Sequence, residues 1–221
     1  MKIKKILGRL NKTLGLNELR EYLSNKEETT PRGVEFPKNQ KKIVNYGQPL
    51  RNPKVLLIGP CITIPRYMQK RCIPPLGLCY VASSLEKAKI NVSMIDCCVE
   101  GWDIERIEGN LVTYGLPPDK LSERLIEGQY DIIGVSVLFS TDLPNLYEIT
   151  STVKKVLPNS TIVVGGLHPT IYPREILSLD IEYNKKRSVD FVIRGEGEYR
   201  FVDFIKLRSQ GKLDTSADGL V

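Results

Sequence analysis

Five short apolar runs recur along the chain from residue 54, and stretches with helical spacing separate them. The runs are KVLLIG (54–59), NVSMID (91–96), DIIGVSVLF (131–139), TIVVGG (161–166) and VDFVIRG (189–195). Runs this short and this apolar read as strands buried on both faces, the pattern of a parallel sheet with helices on either side. The helical stretches are PPLGLCYVASSLEKAK (74–89), LSERLIEG (121–128), LPNLYEITSTVKKVL (143–157), a short segment over 173–179, and EYRFVDFIKLRSQG (198–211). In the first of them Leu78, Val81, Ala82 and Leu85 share one face. Residues 97–120, with Trp102 and Pro117-Pro118, show no clear period and are expected to be a long irregular connection. Crossovers between parallel strands are right-handed. The sequence therefore predicts an α/β, doubly wound, flavodoxin-like (Rossmann-like) domain on a five-stranded parallel sheet. Such sheets bind ligands beyond the carboxyl ends of their strands, where the strand order reverses.

Charge divides the chain in two. Residues 1–52 hold 12 Lys and Arg against 5 Asp and Glu, giving +7, whereas the remaining 20 and 21 give −1. Domains are accordingly expected at 1–52, a basic helical extension and linker, and at 53–221. Near-neutral charge over the second part argues against a nucleic-acid-binding face there. In the first part Ile3, Ile6, Leu7, Leu10 and Leu14 form one stripe, a second helix follows over 17–26, and residues 27–52 turn polar and rich in Pro and Gly. The stripe is short and lacks an aromatic anchor. It is read as packing on the body or on another domain, in preference to lying in a membrane interface. There is no apolar run of spanning length and no continuous signal-peptide core, so a cytoplasmic protein is expected. The five cysteines, Cys61, Cys72, Cys79, Cys97 and Cys98, have irregular spacing and no C-x-x-C, and read as reduced thiols serving as small apolar residues.

The strand ends carry small and hydroxylated residues. Ser136, Leu138, Ser140 and Thr141 belong to the third run, and Gly165-Gly166-Leu167-His168-Pro169-Thr170 closes the fourth. Gly195-Glu196-Gly197-Glu198 closes the fifth. Glycines without a Cβ let a flat ligand approach the backbone, and hydroxyls supply hydrogen bonds without bulk. Familiar nucleotide signatures are missing. There is no G-x-x-x-x-G-K-[ST], and the G-E-G-E turn follows the last strand with two carboxylates that would repel a pyrophosphate. No G-x-S-x-G elbow is present. His168 is the chain's single histidine and reads as a loop histidine bonding backbone, in preference to a catalytic or metal-ligand role.

Taken in order and at their spacings, these motifs resemble the N-terminal cobalamin (B12)-binding domain of B12-dependent radical S-adenosylmethionine (SAM) proteins. Pro74-Pro75-Leu76-Gly77-Leu78 is similar to that family's P-P-x-G-L, Gly165 to Thr170 to its G-G-x-H-P-T, and Val189-Asp190 with Gly195 to Glu198 to its V-D…G-E-G-E. The resemblance implies a cobalamin whose nucleotide tail enters a slot lined by Ser136, Leu138, Ser140, Thr141, Gly165 and Gly166. It also implies a corrin facing the loops over 62–68 and 74–77, with Pro75, Leu76, Gly77, His168, Pro169, Thr170, Gly195, Glu196, Gly197 and Glu198 as further cofactor-binding residues. The loop after the first strand, Gly59-Pro60-Cys61-Ile62-Thr63-Ile64-Pro65, lacks the D-x-H-x-x-G histidine that ligates cobalt in other cobalamin proteins. Binding without a protein histidine is therefore expected. The C-x-x-x-C-x-x-C that holds a [4Fe–4S] cluster is also missing. SAM and the cluster would belong to a radical SAM domain acting in cis or in trans, a methyltransferase being the expected parent, and this chain alone is expected not to be catalytic. Gly166→Val and Ser136→Leu are both expected to leave the fold intact while filling the slot. The residues alone also leave open a non-catalytic flavodoxin-like interaction module that binds no cobalamin, or a small enzyme using another nucleotide.

Overall fold

The computed structural model describes residues 42–215 and Leu220. The two N-terminal helices expected over 3–14 and 17–26 lie outside the described residues. The order of elements is β1 (Ile43–Asn45), β2 (Val55–Gly59), β3 (Ile62–Pro65), α1 (Leu76–Lys87), β4 (Val92–Asp96), α2 (Cys97–Glu100), β5 (Glu105–Glu108), β6 (Leu111–Tyr114), α3 (Pro118–Gly128) and β7 (Ile132–Ser136). A 3-10 turn (Ser140–Asp142) leads into α4 (Leu143–Val156), then β8 (Thr161–Gly165), α5 (Leu167–Ile171), α6 (Pro173–Asn184), β9 (Phe191–Val192), α7 (Gly197–Ser209) and β10 (Lys212–Asp214).

The central sheet has the order β4-β2-β7-β8-β9, and all of its pairings are parallel. Counted by first appearance this is the flavodoxin order 2-1-3-4-5, with its reversal beside β2. Successive side chains point to opposite faces, and the two cores divide accordingly. Leu56, Ile58, Ile133, Val135, Ile162 and Val164 pack with α3, α4 and α6 on one face. Val55, Leu57, Ile132, Val163, Phe191 and Ile193 pack with α1 and α7 on the other.

Residues 97–120 are not an irregular connection. Asp96 Oδ1 accepts from the N–H groups of Cys98 (3.0 Å) and Val99 (3.3 Å) and caps α2. A hairpin, β5–β6, then turns through Gly109-Asn110 and pairs with β3 in a three-stranded antiparallel sheet of order β3-β6-β5. The Thr63 and Thr113 hydroxyls meet across it at 2.8 Å. Lys70 binds the loop after β3 to this sheet. Its ammonium donates to the Trp102 carbonyl (2.6 Å) and to Glu105 (2.9 Å), and it lies over the Trp102 ring at 4.6 Å.

Other boundaries shift. The third strand ends at Ser136 and the fifth keeps only Phe191–Val192, while the helix expected over 173–179 runs to Asn184. Within the polar stretch 27–52, β1 pairs antiparallel with β10. Beyond it, Leu50 N–H donates to the Arg208 carbonyl at 3.1 Å, and the buried Arg208 side chain donates to the Tyr46 carbonyl. Cys61, Cys97 and Cys98 are buried while Cys72 and Cys79 are exposed, and all five are free thiols. Burial pushes the Cys98 thiol up to about 12.

Two carboxylates, one buried and one half-buried, fix the start of β9. Asp180 on α6 is fully buried and accepts from the N–H groups of Ser188 (2.6 Å) and Val189 (2.8 Å). Asp190, the acid of the V-D motif, accepts from Ile162 N–H and from Lys154 Nζ, both at 2.8 Å. An unmet buried donor costs roughly 1–3 kcal/mol. Asp180→Ala strands two of them, so we expect a loss of at least ~2 kcal/mol, about 4–8 °C in Tm for a domain of this size. A melting point within 1 °C of wild type would show that these contacts contribute little.

Candidate functional site

A cavity of about 330 Å³ opens at the carboxyl ends of β7 and β8, on the face covered by α1 and α7. It exists because of what the strands place on that face. On β7, Gly134 and Ser136 are two residues apart and share a face, as do Val163 and Gly165 on β8. A Cβ at Gly134 would fall 2.8 Å from the Leu57 side chain and 3.1 Å from the Phe201 ring, so this glycine admits the packing that forms the cavity floor. A Cβ at Gly165 would meet nothing nearer than the Ile193 carbonyl oxygen at 3.9 Å, so that glycine leaves the space open.

Walls and mouth differ in chemistry. Leu57, Leu78, Val81, Val163, Ile193 and Phe201 make the walls, and Ser136, Thr170, Glu196 and Glu198 contribute the polar side chains. No Lys, Arg or His lines the cavity among the described residues. The Thr170 hydroxyl donates to the Gly166 carbonyl (2.7 Å) and accepts from Gly195 N–H (2.9 Å), joining the loops after β8 and β9. Leu138 and Leu167 line the cavity while staying more than half exposed, and Leu76, Phe139, Ile171 and Tyr199, each next to a lining residue in sequence, are exposed as well.

The structure thus gathers Gly77, Ser136, Leu138, Gly165, Gly166, Thr170, Gly195, Glu196, Gly197 and Glu198 around one cavity. The other six residues singled out in the sequence lie outside its lining. Pro75 and Leu76 begin α1 at the rim, and Thr141 sits in the 3-10 turn. Pro169 is buried in α5. The His168 ring is 4% exposed, with Nδ1 3.1 Å from the Ser140 hydroxyl and Nε2 3.9 Å from Glu175 Oε1. It ties the β7 loop to the β8 loop from behind the cavity. Burial lowers the His168 pKa from its ordinary 6.5 and raises that of Glu175 from 4.5. Sequence reasoning missed the apolar walls, although Gly134 before Ser136 and Val163 before Gly165 carried the period-two signal.

Gly166 lines the cavity and also makes the turn after β8. Its φ of +118° with ψ of −170° is a conformation essentially reserved for glycine. A Cβ there would drive into the Val137 carbonyl oxygen. Gly166→Val therefore breaks the turn instead of filling the cavity, which corrects the expectation that it would stay folded. Gly165 is the position at which the space can be filled.

The fold and this site define a flavodoxin-like domain with an apolar cavity at the strand ends that no cationic side chain lines among the described residues. Residues 69–205 match the B12 binding domain family, and the chain belongs to that family. It is 30% identical over 173 residues to cytidylyl-2-hydroxyethylphosphonate methyltransferase of Streptomyces wedmorensis, covering 77% of this chain and 31% of that protein. It is 29% identical over 136 residues to anaerobic magnesium-protoporphyrin IX monomethyl ester cyclase of Cereibacter sphaeroides, covering 60% of this chain and 18% of that protein. The solved structure of the cobalamin-dependent S-adenosylmethionine radical enzyme OxsB shares the fold, with a TM-score of 0.51 and 22% identity over 76% of this chain and 20% of that one. The chain spans less than a third of the length of these relatives. No helix among the described residues is long and apolar enough to cross a membrane.

Two measurements on the protein alone check this geometry. Gly165→Ala should melt within about 2 °C of wild type, whereas Gly166→Ala should lose at least ~3 kcal/mol, about 6–12 °C; equal melting of the two would overturn the assigned turn. The depressed His168 pKa gives stability that is present above pH 6.5 and falls as the unfolded chain takes up a proton the folded chain refuses. Glu175, with its raised pKa, acts in the opposite sense, adding stability as pH falls towards 4.5. Acidification from pH 7.5 to 5.5 should therefore lower the wild-type Tm more than that of His168→Gln. Parallel curves would remove His168 as the cause.

Proposed function

We propose that this domain holds cobalamin, with its nucleotide tail in the cavity and its corrin over the exposed apolar side chains beside it, and without a protein imidazole on cobalt. The observation that carries the reading is the cavity itself, an apolar slot opening over Ser136 and Gly165 at the strand ends. The residues fit the group. The Gly165 face has room for a flat base, the walls are apolar, and the rim residues Leu76, Leu138, Phe139 and Leu167 offer apolar surface to a broad macrocycle. The absence of a cationic lining side chain among the described residues, with Glu196 and Glu198 at the mouth, disfavours a pyrophosphate-bearing nucleotide, which would seek positive charge.

Ser136, Leu138, Gly165 and the G-E-G-E turn would hold the tail, and Gly77 with the start of α1 would meet the corrin. Ser140, Thr141, His168 and Pro169 would act from behind by setting the loops that shape the mouth. His168 as a cobalt ligand is disfavoured, since its ring is buried against Ser140 and Glu175. Bound cobalamin supplies a cobalt centre that carries a methyl group or exchanges electrons. The chain's own share is to enclose the tail, exclude water from it and orient the corrin towards a partner. In this reading residues 53–221 form the cobalamin-binding domain and 1–52 a basic extension. The partner is a radical SAM domain in cis or in trans, of methyltransferase type, and it supplies the SAM and [4Fe–4S] chemistry.

Purified protein mixed with hydroxocobalamin and desalted should co-elute with corrinoid colour. Gly165→Val, folded by circular dichroism, should weaken binding at least tenfold, about 1.4 kcal/mol. The Co(II) form should show an EPR spectrum without axial nitrogen splitting. Colourless protein would refute the reading, and a splitting that changes on ¹⁵N-histidine labelling would refute the ligand-free cobalt.

A further inference from the structure

We infer that Cys72 and Cys98 form a redox-responsive dithiol, which closes to a disulfide by exchange with a low-molecular-weight disulfide such as oxidised glutathione and reopens on reduction. This modification site lies outside the cavity lining and does not depend on which ligand the cavity takes. Four of the five free thiols meet in two pairs. The adjacent Cys97 and Cys98 open α2. The thiol of Cys97 contacts that of Cys61, and the thiol of Cys98 contacts that of Cys72. Cys61 and Cys72 both belong to the connection between β2 and α1.

Each side of the Cys72–Cys98 pair is held by contacts of its own. On one side Asp96 Oδ1 accepts from Cys98 N–H at 3.0 Å and fixes the first turn of α2. On the other, Tyr114 clasps the residue before Cys72. Its hydroxyl donates to the Arg71 carbonyl (2.9 Å) and accepts from Arg71 N–H (3.2 Å). Cys98 Sγ sits 4.0 Å from the same Arg71 carbonyl oxygen, on the peptide that leads into Cys72. A disulfide has narrow geometry, and a bond that forces the backbone to move is strained. Here helix and loop already hold the two thiols in contact, so closure asks for little movement.

The two pairs differ in access. Cys61 and Cys97 are both buried, and the Cys61 thiol donates to the Leu116 carbonyl at 3.3 Å. Gly115 packs so closely there that a Cβ on it would fall 2.7 Å from Cys61 Sγ. That pair is closed to an oxidant the size of glutathione while the protein is folded. Cys72 is exposed and Cys98 buried, an entering thiol beside a resolving one. The Cys72 thiol gives up its proton and its sulfur attacks one sulfur of the oxidant. The oxidant's S–S bond breaks, one glutathione leaves and takes up a proton, and a mixed disulfide remains. Cys98 then loses its proton, and its sulfur attacks that of Cys72 and displaces the second glutathione, which is protonated in turn. The cysteines lose two electrons and one oxidant disulfide becomes two thiols. Burial, and after it the contact with Cys72, favours the protonated Cys98 thiol, so Cys98 acts second. The bond ties the loop after β3 to α2, three residues before Pro75 caps α1.

The test incubates the folded protein with oxidised glutathione, blocks remaining thiols by alkylation, and reads the linkage by tandem mass spectrometry of the digest. In the wild type Cys72 should be joined to Cys98, and excess reduced glutathione should restore both thiols. The oxidised protein should melt at least ~4 °C above the reduced protein. Cys98→Ser should hold glutathione on Cys72 and lose the melting shift. Cys97→Ser, checked for folding by its melting curve, should still form the bond. Glutathione retained on Cys72 of the wild type, a bond joining Cys61 to Cys97 in its place, or a Cys72 left unmodified would each overturn the inference. A disulfide with no melting shift would overturn the tethering of the loop.

Discussion

The close approach of Gly166 to the Val137 carbonyl governs the end of the sheet where the site lies. It lets the chain leave β8 sharply, in a backbone conformation open to glycine. The first turn of α5 then lies against the loop after β7, where His168 N–H donates back to Val137. From there the contacts propagate outward. Thr170 reaches Gly195 and fixes the turn after β9, while the His168 ring reaches Ser140 and fixes the turn after β7. Three loops on three strands are thereby held by one short segment. The rim of the cavity is set before any ligand is present, which lowers the ordering cost of binding.

The sheet was the most legible part of the sequence, because strands buried on both faces leave unbroken apolar runs. KVLLIG and TIVVGG matched their strands to within a residue. The five-stranded flavodoxin-like fold expected from those runs is the one observed. Less legible was the antiparallel hairpin at 105–114. Its strands are short and one carries Glu105, Arg106 and Glu108, so hydrophobicity alone did not mark it. The signal was the Gly109-Asn110 turn flanked by alternating Ile107, Val112 and Tyr114, since Gly-Asn between such runs marks a two-residue hairpin. The short fifth strand had a different cause. Asp190 sits at its start to accept from Ile162 N–H and Lys154, so pairing begins late.

Motif residues divided into two kinds that sequence spacing could not separate. In G-G-x-H-P-T the first glycine opens space, the second makes the turn, and the histidine and threonine brace neighbouring loops. In V-D the acid pins β8 to β9. Residues brought to one cavity, such as Ser136 and Gly165, were recognisable as small groups at strand ends. Its walls were not, because Leu57, Val163 and Phe201 look in sequence like any other core positions. What distinguishes them is the glycines beside them: Gly134 lets Leu57 and Phe201 pack in close, and Gly165 leaves space open.

That division also indicates where affinity would come from. An aromatic base entering the cavity buries about 150–250 Å², worth roughly 4–6 kcal/mol at 25 cal/mol per Å². One hydroxyl adds about 1 kcal/mol. Against the several kcal/mol that association costs in lost translation and rotation, the slot by itself gives weak binding. Tight binding must draw on surface outside it; Leu138 and Leu167 line the cavity and are exposed, and Leu76, Phe139 and Tyr199, next to lining residues in sequence, are exposed too. On the proposed reading the slot would fix the ligand's position, and exposed apolar surface beside it would supply the remaining area. On that same reading, the outer face of a bound macrocycle would be turned away from the sheet, towards a partner domain.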